Sequence, residues 1–186
     1  MVASIEGSGR TREPGEIFRK PLLDADSLND SGYVLKQQEE ASVQKVAVAG
    51  SGDIPFCVNY RSTKDPFDLA FPPTTYLTGS DDRLPTIDCI DDGEVALKVA
   101  NNNAAIAVGD PLVVAASGGG KVDKYTPTVI GDTSMANESA NITARFTELG
   151  EIVGYAVEKI AVGGGGAPGA DKVRTRLTIK MVPVIA

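Results

Sequence analysis

The sequence predicts an all-β fold: a small antiparallel β-barrel or sandwich with an extended N-terminal arm and long loops. Three observations carry that prediction. Apolar and polar residues alternate in short runs, as in Glu94–Lys98 and Val173–Met181, which is the period of a strand with one buried face. Glycine (20) and proline (11) are frequent, so turns separate the runs and long helices are not expected. Hydrophobic residues make up 42% of the 186, yet aromatics only 5%, with no tryptophan. The core must therefore be built from Val, Ile, Leu and Ala. The length suits one domain plus an extension.

Residues 1–31 form the extension. Ser4, Gly7, Pro14, Gly15 and Pro21 break any period, and charges of both signs are mixed. Inside it sits an apolar cluster, Ile17, Phe18, Leu22 and Leu23. A disordered tail is one reading. The favoured one is an arm that orders on a neighbouring subunit, because apolar anchors in a polar segment mark folding on a partner. Phe18 and Leu22 are the expected anchors.

Residues 32–186 form the barrel domain. Tyr33–Lys36 reads as a short strand and Val43–Ala49 as another. Gly50–Asp53 is a turn, and Phe56–Tyr60 alternates as the next strand. Residues 61–85 are a loop broken by Pro66, Pro72, Pro73 and Pro85. Its aromatics, Phe67, Phe71 and Tyr76, suggest a contact surface between subunits, with capping of the barrel's open end as the other reading. Thr86–Ile90 is a strand, followed by Asp91-Asp92-Gly93 as a hairpin turn.

Glu94–Tyr125 reads as the central set. Its first strand places Val95, Leu97 and Val99 on one face and Glu94, Ala96 and Lys98 on the other. Asn101–Asn103 is a turn and Gly109-Asp110-Pro111 a corner. A Gly118–Gly120 hairpin then leads to a return strand, Lys121–Tyr125. Ala136–Phe146 reads as loop, since its apolar residues do not hold a 3.6 period for long. Glu151–Ile160 is a strand with Val153, Tyr155 and Val157 on one face. Gly154 marks a place where another strand approaches closely. In the last strand Val173, Thr175, Leu177, Ile179 and Met181 alternate with Arg174, Arg176, Thr178 and Lys180. It is expected to close the sheet against an earlier strand.

The chemistry is sparse. A net charge of -7 disfavours nucleic acid and anionic membranes, which select basic surfaces. No apolar window reaches the ~18 residues of a membrane span. The first residues lack the apolar core of a signal peptide, so synthesis in the cytoplasm without a cleaved signal is expected. There is no histidine, which removes the commonest general base and metal ligand. Cys57 and Cys89 are too few for a disulfide framework. Free buried thiols are favoured over one bridge.

Gly118-Gly119-Gly120-Lys121 invites a phosphate-loop reading. Ala115 stands where the first glycine belongs, however, and Val122 where Ser or Thr belongs. Asp81-Asp82 and Asp91-Asp92 read as solvated turn carboxylates. Arg174, Arg176 and Lys180 form a basic stripe, either a solvated face whose charge guards an edge against strand-on-strand aggregation or a contact to an acidic neighbour. No catalytic residue, cofactor or metal is expected. The candidate contact residues are Ile17, Phe18, Leu22, Leu23, Phe67, Phe71, Tyr76, Arg174 and Arg176.

Three segments carry a resemblance: AIAVGDPLVVAASGGGKVDKY (Ala105–Tyr125), ELGEIVGYAVEKIAVGGG (Glu148–Gly165) and VRTRLTIK (Val173–Lys180). KVAVAGSGDIPFCVNYR (Lys45–Arg61) adds to it. Together, over roughly residues 43–182, the chain resembles the small β-barrel capsid decoration (head-stabilising or cement) proteins of tailed phages and related archaeal viruses. That resemblance implies a non-enzymatic virion protein on the outer capsid surface. It also implies the major capsid protein as partner, a homotrimer, and N-terminal arms reaching over neighbouring subunits. The long N-terminal segment and the 61–85 loop depart from the shortest members of that family. A cell-surface or carbohydrate-binding β-module is the alternative. The missing tryptophan counts against it, since sugars stack on exposed aromatic platforms.

Overall fold

Two five-stranded antiparallel sheets share the chain in sequence order, the first half building one and the second half the other. The computed structural model describes residues 17–21, 28, 30–40, 43–60, 86–100, 105–127, 135–161 and 171–179. The first sheet holds β1 (Phe18–Pro21), β2 (Val34–Glu40), β3 (Val43–Val48), β4 (Cys57–Asn59) and β5 (Thr86–Ile90), in the order β1-β5-β4-β2-β3. The second holds β6 (Glu94–Lys98), β7 (Pro111–Val114), β8 (Val122–Lys124), β9 (Ile152–Ala156) and β10 (Lys172–Leu177), in the order β6-β10-β9-β7-β8. Helix α1 (Met135–Gly150) precedes β9.

Both sheets curl. In the first, the edge strands β1 and β3 approach one another. In the second, Val99 past the end of β6 bridges Val122 of β8, and the Ala100 N–H donates to the Val122 carbonyl at 2.8 Å. The all-β barrel or sandwich class is therefore the observed one.

Curling gives the first sheet two buried faces. Val34, Val58 and Ile90 point into a core shared with Leu97, Leu112, Val153 and Val173 of the second sheet. Their neighbours Leu35, Cys57 and Cys89 point the other way, into a smaller core with Val46, Ile87 and Leu28. That is why all three residues of β4 are buried instead of every second one: a strand covered on both faces has no wet side. Burying each such Val or Leu contributes about 1.5–3 kcal/mol.

Four local expectations change. First, Asp91-Asp92-Gly93 is not a hairpin. It carries the chain from the first sheet to the second, because β5 already has β1 and β4 on its two edges. Gly93 still takes a left-handed φ of 91°, and its N–H donates to Asp92 Oδ1 at 2.7 Å. Second, residues 135–150 are helical and not a loop. The apolar positions that repeat there, Ile142, Phe146 and Leu149, face solvent.

Third, Val153 is buried and Tyr155 exposed, although strict alternation would put them on one face. Leu112 lies opposite Gly154 while Val113 lies opposite Ile152. β9 therefore holds one extra residue, and a bulge of this kind shifts the phase of the strand. Fourth, β10 is an interior strand between β6 and β9, so its arginines do not guard an edge. The close approach expected at Gly154 is present. A Cβ there would overlap the Arg176 carbonyl oxygen and crowd the Thr175 side chain at 2.9 Å.

Cys57 and Cys89 are both fully buried and are not joined by a disulfide. Cys89 lies opposite Asn59, so Cys57 is its diagonal neighbour on the same face. Diagonal Cα atoms are about 7–8 Å apart, beyond the span of a disulfide. Both thiols should resist alkylation in the native protein and react fully in denaturant. Rapid native labelling of either, read by mass spectrometry, would contradict this packing.

Candidate interaction surfaces

The glycine hairpin is a joint. Gly118, Gly119 and Gly120 have φ of 72°, 70° and 68°, a region open to glycine at little cost. Gly120 reaches into the first sheet. Its N–H donates to the Ala49 carbonyl at 3.0 Å, and its carbonyl accepts from Val34 N–H at 2.8 Å. A Cβ on Gly120 would sit 2.7 Å from the Val34 carbonyl oxygen.

A second joint lies at Gly32. Its N–H donates to the Asn59 carbonyl at 3.0 Å, and its carbonyl accepts from Lys98 N–H at 2.8 Å. Asn59 is itself buried. Its Oδ1 accepts from Tyr33 N–H at 2.6 Å, and its Nδ2 donates to the Asp30 carbonyl at 2.7 Å.

Beside Gly32 lies an ionic cluster. Lys98, expected on an outward face, is only 8% exposed. Its Nζ binds the Asp171 carboxylate and Asp30 Oδ2, the latter at 2.7 Å. Lys172 Nζ donates to Asp30 Oδ1 at 3.0 Å and to Ser31 Oγ at 3.2 Å. Hydrogen bonding from Lys98 holds the Asp30 carboxyl far below the usual carboxylate range, with Lys172 and the Ser31 N–H adding to it against partial burial. Asp171 and then Asp30 raise Lys98 above the ordinary lysine range. Charges left in a half-buried place are held by partners. This cluster ties the segment before β2 to β6 and β10.

A smaller brace fixes the corner before β7. Asp110 Oδ2 accepts from Ala107 N–H and pairs with Lys124, both at 2.8 Å. The Lys124 hydrogen bond lowers the Asp110 pKa.

The sequence-derived contact residues fall into three groups. Phe18 lies in β1, opposite Cys89 of the chain's own sheet. Its ring meets Phe56 edge-on, with centroids 6.3 Å apart, so this anchor is engaged within the chain. Ile17 beside it is exposed. Leu22, Leu23, Phe67, Phe71 and Tyr76 lie outside the described residues, as does Lys180 of the basic stripe.

Arg174 and Arg176 are exposed on the outer face of the second sheet. Arg174 pairs with Glu94, which offsets one of the stripe's charges. Arg176 lies opposite Glu94 on one side and Tyr155 on the other, and Tyr155 lies opposite Pro111. Exposed Tyr60 belongs to the first sheet's end and Tyr155 to the second sheet, so the two do not share a strand surface.

One surface was missed from the sequence. On α1, Ile142, Phe146 and Leu149 are 49%, 71% and 53% exposed. Their spacing of four and then three residues was the available signal, because it places all three on one helix stripe. Among the described residues no cluster of His, Cys, Asp or Glu could hold a metal ion. No helix among them is long and apolar enough to cross a membrane. No known family model matches the chain, and no curated protein matches it.

Proposed function

We propose that this chain is a structural virion protein. It binds the outside of an icosahedral capsid as a homotrimer and stabilises the shell by bridging neighbouring subunits of the major capsid protein. The observation that carries this reading is how the resembling segments assemble. Ala105–Tyr125 supplies β7 and β8, Glu148–Gly165 supplies β9, and Val173–Lys180 supplies most of β10, all in one sheet. Lys45–Arg61 supplies β4 and most of β3 of the other sheet. The glycine run that could suggest a ligand loop is spent on joining the two sheets, which suits a rigid body that acts by contact. Each interface such a body forms adds burial that favours the assembled shell by mass action.

The test is co-sedimentation with shells assembled from the major capsid protein encoded beside this gene. The full chain should pellet with assembled shells, raise their melting temperature, and ignore unassembled coat subunits. No binding to shells, or no capsid gene in the neighbourhood, overturns the reading. The arm is tested by deleting residues 1–16. Removing 1–31 would also take β1, Leu28 and Asp30 out of the fold. The shorter deletion should weaken shell binding and leave the melting temperature of the free protein unchanged.

A further inference from the structure

The chain holds one Asp-Gly step and no Asn-Gly step, and that step lies on the crossing between the two sheets. The Gly93 N–H points at the side chain before it, donating to Asp92 Oδ1 at 2.7 Å. Cγ is one bond from that oxygen, so nitrogen and carbon are near the roughly 3–3.5 Å of groups poised to react. Gly93 takes a φ of 91° and brings no side chain to crowd the approach. Both residues are half-buried, so water reaches them. Asp30 and Asp123 make the same contact with the amide that follows them, at 2.7 Å and 2.6 Å. There the next residues are Ser31 and Lys124, whose Cβ stands beside the nitrogen. Asp30 is also gripped by Lys98 and Lys172, which keeps its carboxyl ionised and a poor electrophile. Of these three aspartates, Asp92 alone combines closeness with an open amide.

We propose that Asp92-Gly93 is a site of self-modification: it closes to a cyclic imide and reopens in part as isoaspartate. Gly93 N bonds to Asp92 Cγ, the Cγ–OH bond breaks, and the amide proton leaves with that hydroxyl as water. Water then adds to one of the two ring carbonyls. Opening at Cγ restores aspartate. Opening at the backbone carbonyl routes the chain through the side chain as isoaspartate. The crossing is then one carbon longer while its ends stay fixed. Ile90 lies opposite Val58 in the first sheet and Glu94 opposite Arg176 in the second, and the Gly93 carbonyl accepts from Leu177 N–H at 2.8 Å. The added carbon loosens that last bond and marks aged copies of the chain. The new α-carboxylate is the chemical group that an isoaspartyl-methylating repair enzyme takes as substrate.

This inference does not rest on capsid binding and is tested without shells. The full chain is held for weeks in warm, mildly acidic buffer, since the protonated carboxyl is the form that loses its hydroxyl as water. Peptide mapping should show the Asp92 peptide splitting into two forms of equal mass, with isoaspartate at least tenfold more abundant there than at Asp30 or Asp123. The converted chain should melt about 2–4 °C lower, the effect of losing one hydrogen bond in a chain of this size. Asp92→Asn should convert faster, losing ammonia. Asp92→Glu, which has no five-membered ring to form, should stay unconverted. Isoaspartate no more frequent at Asp92 than at Asp123 overturns the inference. So does an Asp92→Asn chain that keeps its amide, a converted chain that melts like the unconverted one, or conversion more than tenfold slower in the native chain than in urea.

Discussion

Gly120→Ala should cost about 3 kcal/mol, while Gly118→Ala and Gly119→Ala cost about 1 kcal/mol each. All three glycines sit at positive φ, where a side chain brings a penalty of roughly 1–2 kcal/mol. Nothing lies within 4 Å of a Cβ built on Gly118 or Gly119, so for them that penalty is the whole effect. At Gly120 the added carbon meets the Val34 carbonyl at 2.7 Å and the Val48 side chain at 3.1 Å. It pushes on the two backbone hydrogen bonds that join the sheets, and overpacking of this kind costs a further 1–3 kcal/mol or so. For a chain of this size, each kcal/mol lowers the melting temperature by about 2–4 °C. Thermal denaturation of the three variants is the measurement. Equal losses at all three positions would mean that Gly120 is not a joint.

Asp30→Asn should destabilise by about 1.5 kcal/mol at neutral pH, out of the roughly 1.5–3 kcal/mol that a hydrogen bond to a charged partner contributes. The lower end applies because the Asp30 side chain is 43% exposed. The sign of the pH dependence follows from the direction of each shift. Asp30 is held below its unfolded pKa, so its contribution is present above about pH 4 and is lost as the pH falls through the folded value. Lys98 is held above its unfolded pKa. Its contribution is full below about pH 10 and is lost as the pH rises further. Between those limits the cluster is insensitive to pH. Urea denaturation of wild type and Asp30→Asn across this range should show a constant gap that narrows only below about pH 4. A gap that persists undiminished in strong acid would assign the loss to packing and not to charge.

Much of the strand pattern was legible in the sequence because a strand's burial is written two residues apart. Lys172–Leu177 shows inward and outward residues in strict turn, and Thr86–Ile90 has the expected bounds. Gly154 announced a close approach because little besides glycine fits where another backbone comes so near. The helix α1 was not legible from its apolar residues. A periodic apolar pattern signals a helix when it is long and buried, and this one is short and open to solvent.

What the sequence by itself determined is the all-β class, most strand positions and the conformations of the glycine turns. These depend on neighbours along the chain: side-chain alternation, φ freedom and breaks at proline. What only the tertiary structure decided is how distant segments meet. Asp91–Gly93 became a crossing between sheets because both edges of β5 were already taken. Lys98 became buried because Asp30 and Asp171, far from it in sequence, converge on it. Phe18 became part of its own chain's core because β1 found an edge on β5. Gly120 became a joint because Val34 and Ala49 lie beside it. Each outcome depends on which partner arrives in space, and local spacing does not encode that.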